Sequence, residues 1–190
     1  MKLSFFSVFI LIFSCSDQEN QFGGYNDPRF FEGVGLDKNP IGENVAKEIQ
    51  SKDIREKFFS NSLAKIFILG YYDCPQMCNS FRESLFPELN QGNLDLGSDY
   101  EIIMLSIDPK EKELLSLKEE GKYFDLFFDQ NDIAREHFNF IVDPASIDLI
   151  TSKLGFKYKK YKRKDEEKEY YNHPAVAYLL LADGTVSNIV

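Results

Sequence analysis

The chain has 190 residues, of which 43% are hydrophobic and 18 are phenylalanine. This length and composition indicate one folded domain with a sizeable core and exclude a disordered chain. The formal net charge of -9 argues against nucleic acid as a partner, because a phosphate backbone attracts basic proteins.

The first residues predict a bacterial lipoprotein signal. Lys2 precedes an apolar run at 3–13, which has the length of a signal-peptide core and is too short to cross a bilayer as a helix. Small Ser14 before Cys15 is typical of cleavage in front of a lipid-modified cysteine. The alternative is an ordinary secretory signal that happens to contain a cysteine. We expect a signal peptide at 1–14 and a membrane-anchored lipoprotein that faces the periplasm of a bacterial cell envelope.

After this signal the sequence predicts a tether and then one domain. Residues 15–42 are polar and rich in turn-forming residues, which indicates a lipid-anchored tether and an irregular arm. Residues 43–190 alternate between strand and helix patterns. In chain order the predicted elements are a weakly helical stretch at 45–59, a strand at 64–72, a helix at 79–89, a strand at 100–107, helices at 110–120 and 131–137, a strand at 138–142, a helix at 144–154, and strands at 156–161, 175–181 and 185–190.

The order of these elements predicts an α/β, thioredoxin-like fold with a central mixed β-sheet flanked by helices. Strands 64–72 and 100–107 are continuously apolar, as expected in a sheet covered on both faces, and the helix between them makes a β-α-β unit. Asp183 and Gly184 predict an antiparallel hairpin between the last two strands. The basic run at 157–164 is followed by acidic residues, so we expect a solvated hairpin there rather than a binding patch.

A pair of cysteines in the motif C-P-Q-M-C is the strongest functional signal. Cys74 and Cys78 lie where a buried strand turns into a helix, and the unpaired N–H groups of a helix start favour a thiolate. If Cys15 is acylated, they are the only free thiols of the chain. Because they are four residues apart, their sulfurs share a helix face and either bond to each other or converge on one metal ion.

Histidine supplies the candidate third ligand. His173 directly precedes the strand at 175–181, and in a thioredoxin plan the loop entering that strand faces the thiol-bearing turn. His137 lies in a charged, solvated helix and is not expected to bind metal. Two thiolates and one imidazole suit copper, whereas zinc would require a fourth ligand. Asp108 ends the neighbouring strand and is either a group beside the metal ligands, or a weak Cu(II) ligand, or a turn residue.

Taken together, these residues resemble the Sco/SenC family of membrane-anchored, thioredoxin-like copper proteins. The resemblance rests on YYDCPQMC at 71–78, on SIDP at 106–109 and on the distal His173, and it extends from residue 33 to residue 190. It implies that the domain binds copper and takes part in the assembly of cytochrome c oxidase.

The resemblance also implies roles for individual residues. Copper, as Cu(I) or Cu(II), would be held by Cys74, Cys78 and His173. Family members deliver copper to the copper A centre of cytochrome c oxidase or prepare it by reducing cysteines, so subunit II, or another exported copper or thiol protein, is the expected partner. The protein would then be a metallochaperone rather than an enzyme. The alternative is a thiol-disulfide oxidoreductase acting on exported or membrane-bound protein thiols, with Cys74 as nucleophile and Cys78 as resolving thiol.

The chain departs from the family pattern at three places, one of which is Pro174, since family members commonly have a small hydroxyl residue after the histidine. The family often carries an acidic residue four positions after the aspartate of its Asp-Pro pair, where this chain has Lys112. Family members also continue into a final helix that covers one face of the sheet, whereas this sequence ends at Val190, directly after the predicted hairpin. We therefore expect a thioredoxin-like domain that lacks the C-terminal helix.

Overall fold

The computed structural model describes residues 32–75, 77–128, 132–162 and 166–190. The expected signal peptide and Cys15 lie outside the described residues. Within the described part of the chain, no helix is both long enough and apolar enough to cross a membrane.

The described residues form nine strands and five helices, joined by turns and loops. In chain order they are β1 (Gly35–Leu36), α1 (Lys52–Phe59), β2 (Ala64–Gly70), α2 (Met77–Gln91), β3 (Tyr100–Ser106), α3 (Glu113–Phe127), α4 (Asp132–Glu136), β4 (Phe138–Ile141), α5 (Ile147–Leu154), β5 (Phe156–Lys157), β6 (Lys159–Lys162), β7 (Glu169–Asn172), β8 (Ala177–Leu180) and β9 (Val186–Ile189). All the predicted strands and helices are present, although several begin or end elsewhere than the sequence pattern indicates.

Five of the strands form one mixed sheet in the order β4-β3-β2-β8-β9. The first three run parallel, because a helical connection returns the chain to the same end of the sheet each time. Strand β8 is antiparallel to both β2 and β9, and β8 and β9 form the predicted hairpin. The mixed sheet flanked by helices is therefore as predicted.

The two faces of this sheet have separate hydrophobic cores. Side chains alternate along β2, so Phe67 and Leu69 pack with helices α1 and α5, while Ile66 and Ile68 pack with helices α2 and α3. Both central strands are buried on both sides, which is why their sequences are continuously apolar. The loop that carries the cysteines follows β2 at the end of the sheet where the parallel strands have their carboxyl termini.

Helix α1 begins later than the helical pattern at 45–59 predicts. Val45 N–H donates a hydrogen bond to the carbonyl of Gly184 at 2.9 Å, so the backbone of this segment is bonded to the β8–β9 turn instead of to a helix. Ser51 then caps the helix, and its hydroxyl accepts the N–H of Ile54 at 3.3 Å. A tertiary hydrogen bond has therefore displaced the local helical preference.

The predicted strand at 156–161 is two strands with different partners. Strand β5 pairs with β1, and β6 pairs with β7, which the sequence pattern did not reveal. Between them lies Tyr158, whose ring packs between Phe156 and Tyr171 with centroid distances of 6.1 and 5.9 Å. The predicted solvated hairpin is confirmed for its described residues, since β6 is largely exposed and Lys160 pairs with Glu169.

A buried ion pair links the two central strands at their amino-terminal ends. Lys65 Nζ lies 3.2 Å from Glu101 Oε1, and the two side chains are 0% and 2% exposed. Asn61 contacts both charged groups, and His137 Nδ1 lies 3.3 Å from Glu101 Oε2. Two buried charges of opposite sign are tolerated because each satisfies the other.

Replacing one member of this pair should destabilise the domain strongly. Lys65→Met leaves the Glu101 carboxylate buried without its cation, so we expect the free energy of unfolding to fall by about 3–5 kcal/mol in chemical denaturation. The double variant Lys65→Met/Glu101→Leu removes both charges and should lose less than the single variant. A double variant that is less stable than Lys65→Met would contradict this account.

Candidate metal and thiol site

Two segments that are distant in sequence bring the predicted ligands together. Cys74 lies in the loop after β2, Cys78 lies in the first turn of α2, and His173 follows β7 directly. The three residues are 7%, 3% and 4% exposed, respectively, so all of them are buried. The pairing of β2 with β8 places the segment that precedes β8 next to the loop that follows β2. The juxtaposition predicted from the thioredoxin plan is present.

Direct contacts join the three side chains in a short chain. Cys78 Sγ lies 2.7 Å from His173 Nε2, and the Cys78 N–H donates to Cys74 Sγ at 3.3 Å. His173 Nδ1 lies 2.9 Å from the carbonyl of Pro174, which can only accept, so Nδ1 carries a proton. In the neutral pair Nε2 then accepts a hydrogen bond from the Cys78 thiol. Neither Cys74 nor Cys78 forms a disulfide bond.

Aromatic rings and a glycine set the position of the imidazole. The His173 ring stacks on Phe156 and meets Tyr71 edge-on, each at a centroid distance of 5.9 Å. A Cβ on Gly70 would lie 3.8 Å from His173 Cε1, 3.9 Å from Cys78 Sγ and only 2.8 Å from Met104 Cε. The absence of a side chain at Gly70 therefore provides space for the imidazole and the sulfur to meet.

Burial controls the protonation of the groups around the site. Burial raises the pKa of the Cys78 thiol well above its usual range, the neighbouring Cys74 adds to this rise, and the positive charge of Arg82 opposes it. Burial and the two cysteines also raise the pKa of Tyr71. Cys78 therefore carries its proton at neutral pH, and a metal ion must displace that proton to bind the sulfur.

The residues fit a soft metal ion, although their present spacing is that of a hydrogen bond. Among the described residues, no three His, Cys, Asp or Glu side chains are arranged to hold a metal ion. A sulfur and a nitrogen bound to one ion lie about 3.6 Å apart or more, given metal–ligand bonds of about 2.0–2.3 Å. Metal binding here would have to replace the proton shared by Cys78 and His173 and would require the distance between Sγ and Nε2 to increase by about 1 Å.

Glu111 is a buried residue of the site that the sequence reasoning missed. Its carboxylate accepts the N–H of Tyr72 at 2.8 and 2.9 Å and the N–H of Asp73 at 2.7 Å, and the Ser106 hydroxyl donates to it at 2.6 Å. Burial raises the pKa of Glu111, and these hydrogen bonds act against the rise. Glu111 directly precedes Lys112, the position at which the family resemblance predicts an acidic residue. An acidic residue one position away was therefore the signal in the sequence.

Asp108 and His137 are not in contact with the cysteines. Asp108 accepts the N–H of Lys110 at 2.9 Å, as a turn residue does, and it also accepts the Tyr171 hydroxyl at 3.1 Å. The Tyr171 ring contacts the Tyr71 ring, which in turn contacts His173. Two aromatic side chains therefore lie between Asp108 and the imidazole. His137 lies beside Glu101 at the opposite end of the sheet.

Solved structures resemble this chain, whereas no protein-family model and no curated protein matches its sequence. ScoI of Bradyrhizobium japonicum with copper bound has 20% identity and a TM-score of 0.50, over 68% of this chain and 75% of that one. A candidate electron transfer protein from Aquifex aeolicus has 13% identity and a TM-score of 0.50, over 83% of both chains. The chain has the Sco fold. The thioredoxin-like fold predicted from the sequence is thereby confirmed.

Glu111→Gln should loosen the loop of the Sco fold that carries Cys74. Glutamine keeps one acceptor oxygen but turns an amide group toward backbone N–H groups, and an unpaired buried donor costs about 1–3 kcal/mol. We expect the free energy of unfolding to fall by about this amount and hydrogen exchange at the Tyr72 and Asp73 amides to accelerate. The control Glu113→Gln, at the exposed start of α3, should change neither measurement. Unchanged exchange at both amides in Glu111→Gln would mean that the carboxylate does not hold the loop.

Proposed function

We propose that this protein is a copper-binding member of the Sco/SenC family that delivers copper to, or prepares, the copper A centre of cytochrome c oxidase. The observation that carries the proposal is the 2.7 Å contact between Cys78 Sγ and His173 Nε2, with Cys74 Sγ bonded to the Cys78 backbone. His173 is distant in sequence from the two cysteines, yet all three residues are buried together.

The chemistry of the three side chains favours copper over other metal ions. Thiolates are soft ligands that select Cu(I), and an imidazole suits both oxidation states of copper. A ScoI protein with the same fold is known with copper bound, which supports the assignment to this chain. Three ligands also leave the fourth position that structural zinc requires unfilled.

Copper would be cargo that the protein passes on to a partner, because the Cys74 side of the site lies near the surface. The residues on either side of Cys74, Asp73 and Pro75, are exposed. A partner thiolate can therefore approach Cys74 and replace it as a ligand, after which Cu(I) passes to the partner without a change of oxidation state. The proposed acceptor is subunit II of the oxidase or another exported copper or thiol protein.

Location in a bacterial cell envelope belongs to the same proposal. The lipoprotein signal would leave Cys15 as a lipid-modified residue, with the following residues as the tether. The described end of that region joins the domain at Gly35 and Leu36, which pair with Lys157 and Phe156. The tether would thus hold the copper site on the periplasmic side of a membrane.

Copper titration of the reduced protein tests the ligand assignment. We expect one Cu(I) per chain, measured by competition with a chromophoric chelator under anaerobic conditions. Cys74→Ser or Cys78→Ser should abolish this binding, because a thiolate pair is the minimum set for Cu(I) at this site. His173→Ala should weaken binding at least tenfold, since loss of one ligand bond costs more than about 1.4 kcal/mol.

The matched control for this titration is His137→Ala. It removes the other histidine of the chain, which lies beside Glu101 at the far end of the sheet. This variant should bind copper as the unmodified protein does. Absence of stoichiometric binding, or equal binding by the His173→Ala variant, would refute the assignment.

A second candidate function, thiol-disulfide exchange, is favoured by one contact. The Cys78 N–H donates to Cys74 Sγ, and this bond at the first turn of α2 stabilises a thiolate on Cys74. In that reaction the Cys74 thiolate attacks a substrate disulfide and releases one substrate thiol. Cys78 then loses its proton and attacks the mixed disulfide, which oxidises the cysteine pair and releases the second substrate thiol.

Single-turnover reduction of a model disulfide separates the two functions. If exchange is the main activity, the reduced protein should reduce one equivalent of disulfide, and Cys74→Ser should stop the reaction. His173→Ala should retain the reaction, because no atom of the imidazole forms or breaks a bond with sulfur in the exchange. A chaperone without reductase activity would bind copper in the first experiment and leave the disulfide intact in this one.

A further inference from the structure

The buried residue Arg82 in helix α2 has no role in the fold that accounts for its charge. Its side chain is 0% exposed. Its polar contacts are Nη1 with Met104 Sδ at 3.8 Å and Nη2 with the side-chain oxygen of Asn79, while Nε has no hydrogen-bond partner in the described part of the chain. No carboxylate among the described residues forms an ion pair with Arg82.

An arginine in such surroundings is a buried cation without an anion. An unpaired buried charge is costly, because the interior does not solvate it as water does. The guanidinium lies 4.5 Å from the Tyr123 ring centroid and 5.9 Å from that of Phe140, and these cation–π contacts offset part of the cost. Aromatic rings carry no net charge, so they do not neutralise the arginine.

The buried carboxylates around this core are engaged elsewhere. Glu111 is bonded to the backbone of the cysteine loop and to Ser106. Glu120 pairs with Arg135 at 3.1 Å and accepts the Phe140 N–H at 2.8 Å. Neither carboxylate therefore serves as the partner of Arg82.

Met104 lies between Arg82 and the proposed copper site. Cys78 and Arg82 are four residues apart in α2, so they lie one above the other on the same helix face. The thioether of Met104 contacts Arg82, and its methyl carbon lies 2.8 Å from the point where a Cβ on Gly70 would stand. That same point is 3.9 Å from Cys78 Sγ. A thioether and a glycine thus separate the cation from the sulfur in a medium of low polarity.

We propose that Arg82 is the counter-charge of the loaded site and makes it select monovalent copper over divalent ions. This inference rests on the proposed function. When both cysteines are thiols the site is neutral. When Cu(I) replaces the two protons, two thiolates and one copper ion leave a net charge of minus one, whereas a divalent ion with the same ligands leaves no net charge. A fixed positive charge beside the site therefore stabilises the Cu(I) complex and has little effect on a divalent one.

The test compares two metal ions with two variants. Cd²⁺ serves as the divalent probe, because it is soft and does not oxidise thiols. Arg82→Met keeps the shape of the side chain and removes its charge, and it should lower the Cu(I) affinity about tenfold while the Cd²⁺ affinity stays nearly constant. Arg82→Lys keeps the charge and should retain most of the Cu(I) affinity. Competition with a chromophoric chelator for Cu(I), and thiolate absorption for Cd²⁺, provide the readouts.

The substitution Asn79→Asp tests the proposed role of Arg82 without creating a cavity in the hydrophobic core. Asn79→Asp replaces the side-chain amide, whose oxygen contacts Arg82, with a nearly isosteric carboxylate. The cation thereby gains an anionic partner. This variant should be as stable as the unmodified protein or more so, and it should lose Cu(I) affinity selectively. It therefore keeps the proposal testable if Arg82→Met does not fold.

The outcomes separate this inference from the proposed function. Equal losses of Cu(I) and Cd²⁺ affinity in Arg82→Met and Asn79→Asp would assign Arg82 a purely structural role and overturn the inference. The same holds if neither metal is affected. If the unmodified protein binds no copper, the proposed function fails before Arg82 is tested.

Discussion

The hydrogen bond between Cys78 Sγ and His173 Nε2 joins residues 95 positions apart, and the rest of the site depends on it. It forms because β2 and β8 are antiparallel neighbours, with Ile68 opposite Ala177, so the loop leaving β2 meets the loop entering β8. Tyr71 then packs against the imidazole from the cysteine loop. The central strands of the Sco fold thus determine which side chains can share one metal ion or one proton.

Burial gives this site two exclusive states. Without metal, the thiol and the imidazole satisfy each other by hydrogen bonding, and burial keeps the Cys78 proton in place by raising the pKa of this thiol. If Cu(I) binds as proposed, the proton leaves and the buried region gains a negative charge. The positions of Arg82 and Glu111 matter because a charge created in a medium of low polarity interacts strongly with every other charge nearby. The thiol and the imidazole thus satisfy each other without metal, and the proposed role of Arg82 is to stabilise an anionic metal complex.

The same three side chains suit both proposed functions, copper binding and thiol exchange, because each would begin with a thiolate on Cys74, the cysteine nearer the surface. What distinguishes them is His173, which adds a ligand for a metal ion and contributes no atom to a disulfide. The hairpin of β6 and β7 carries this histidine, and aromatic contacts of Tyr71, Tyr158 and Tyr171 hold the hairpin against the sheet. The hairpin is thus part of the site rather than an added surface element.

The sequence by itself determined the class of fold and singled out the cysteine pair and His173 as the candidate site. The continuous apolar strands and the C-P-Q-M-C motif are local signals, since each follows from the properties of neighbouring residues. The tertiary structure decided where α1 begins, how the segment around Tyr158 divides between two partners, and that Glu111 and Arg82 are buried beside the cysteines. These features depend on hydrogen bonds and charges between segments distant in sequence, and no local pattern contains that information.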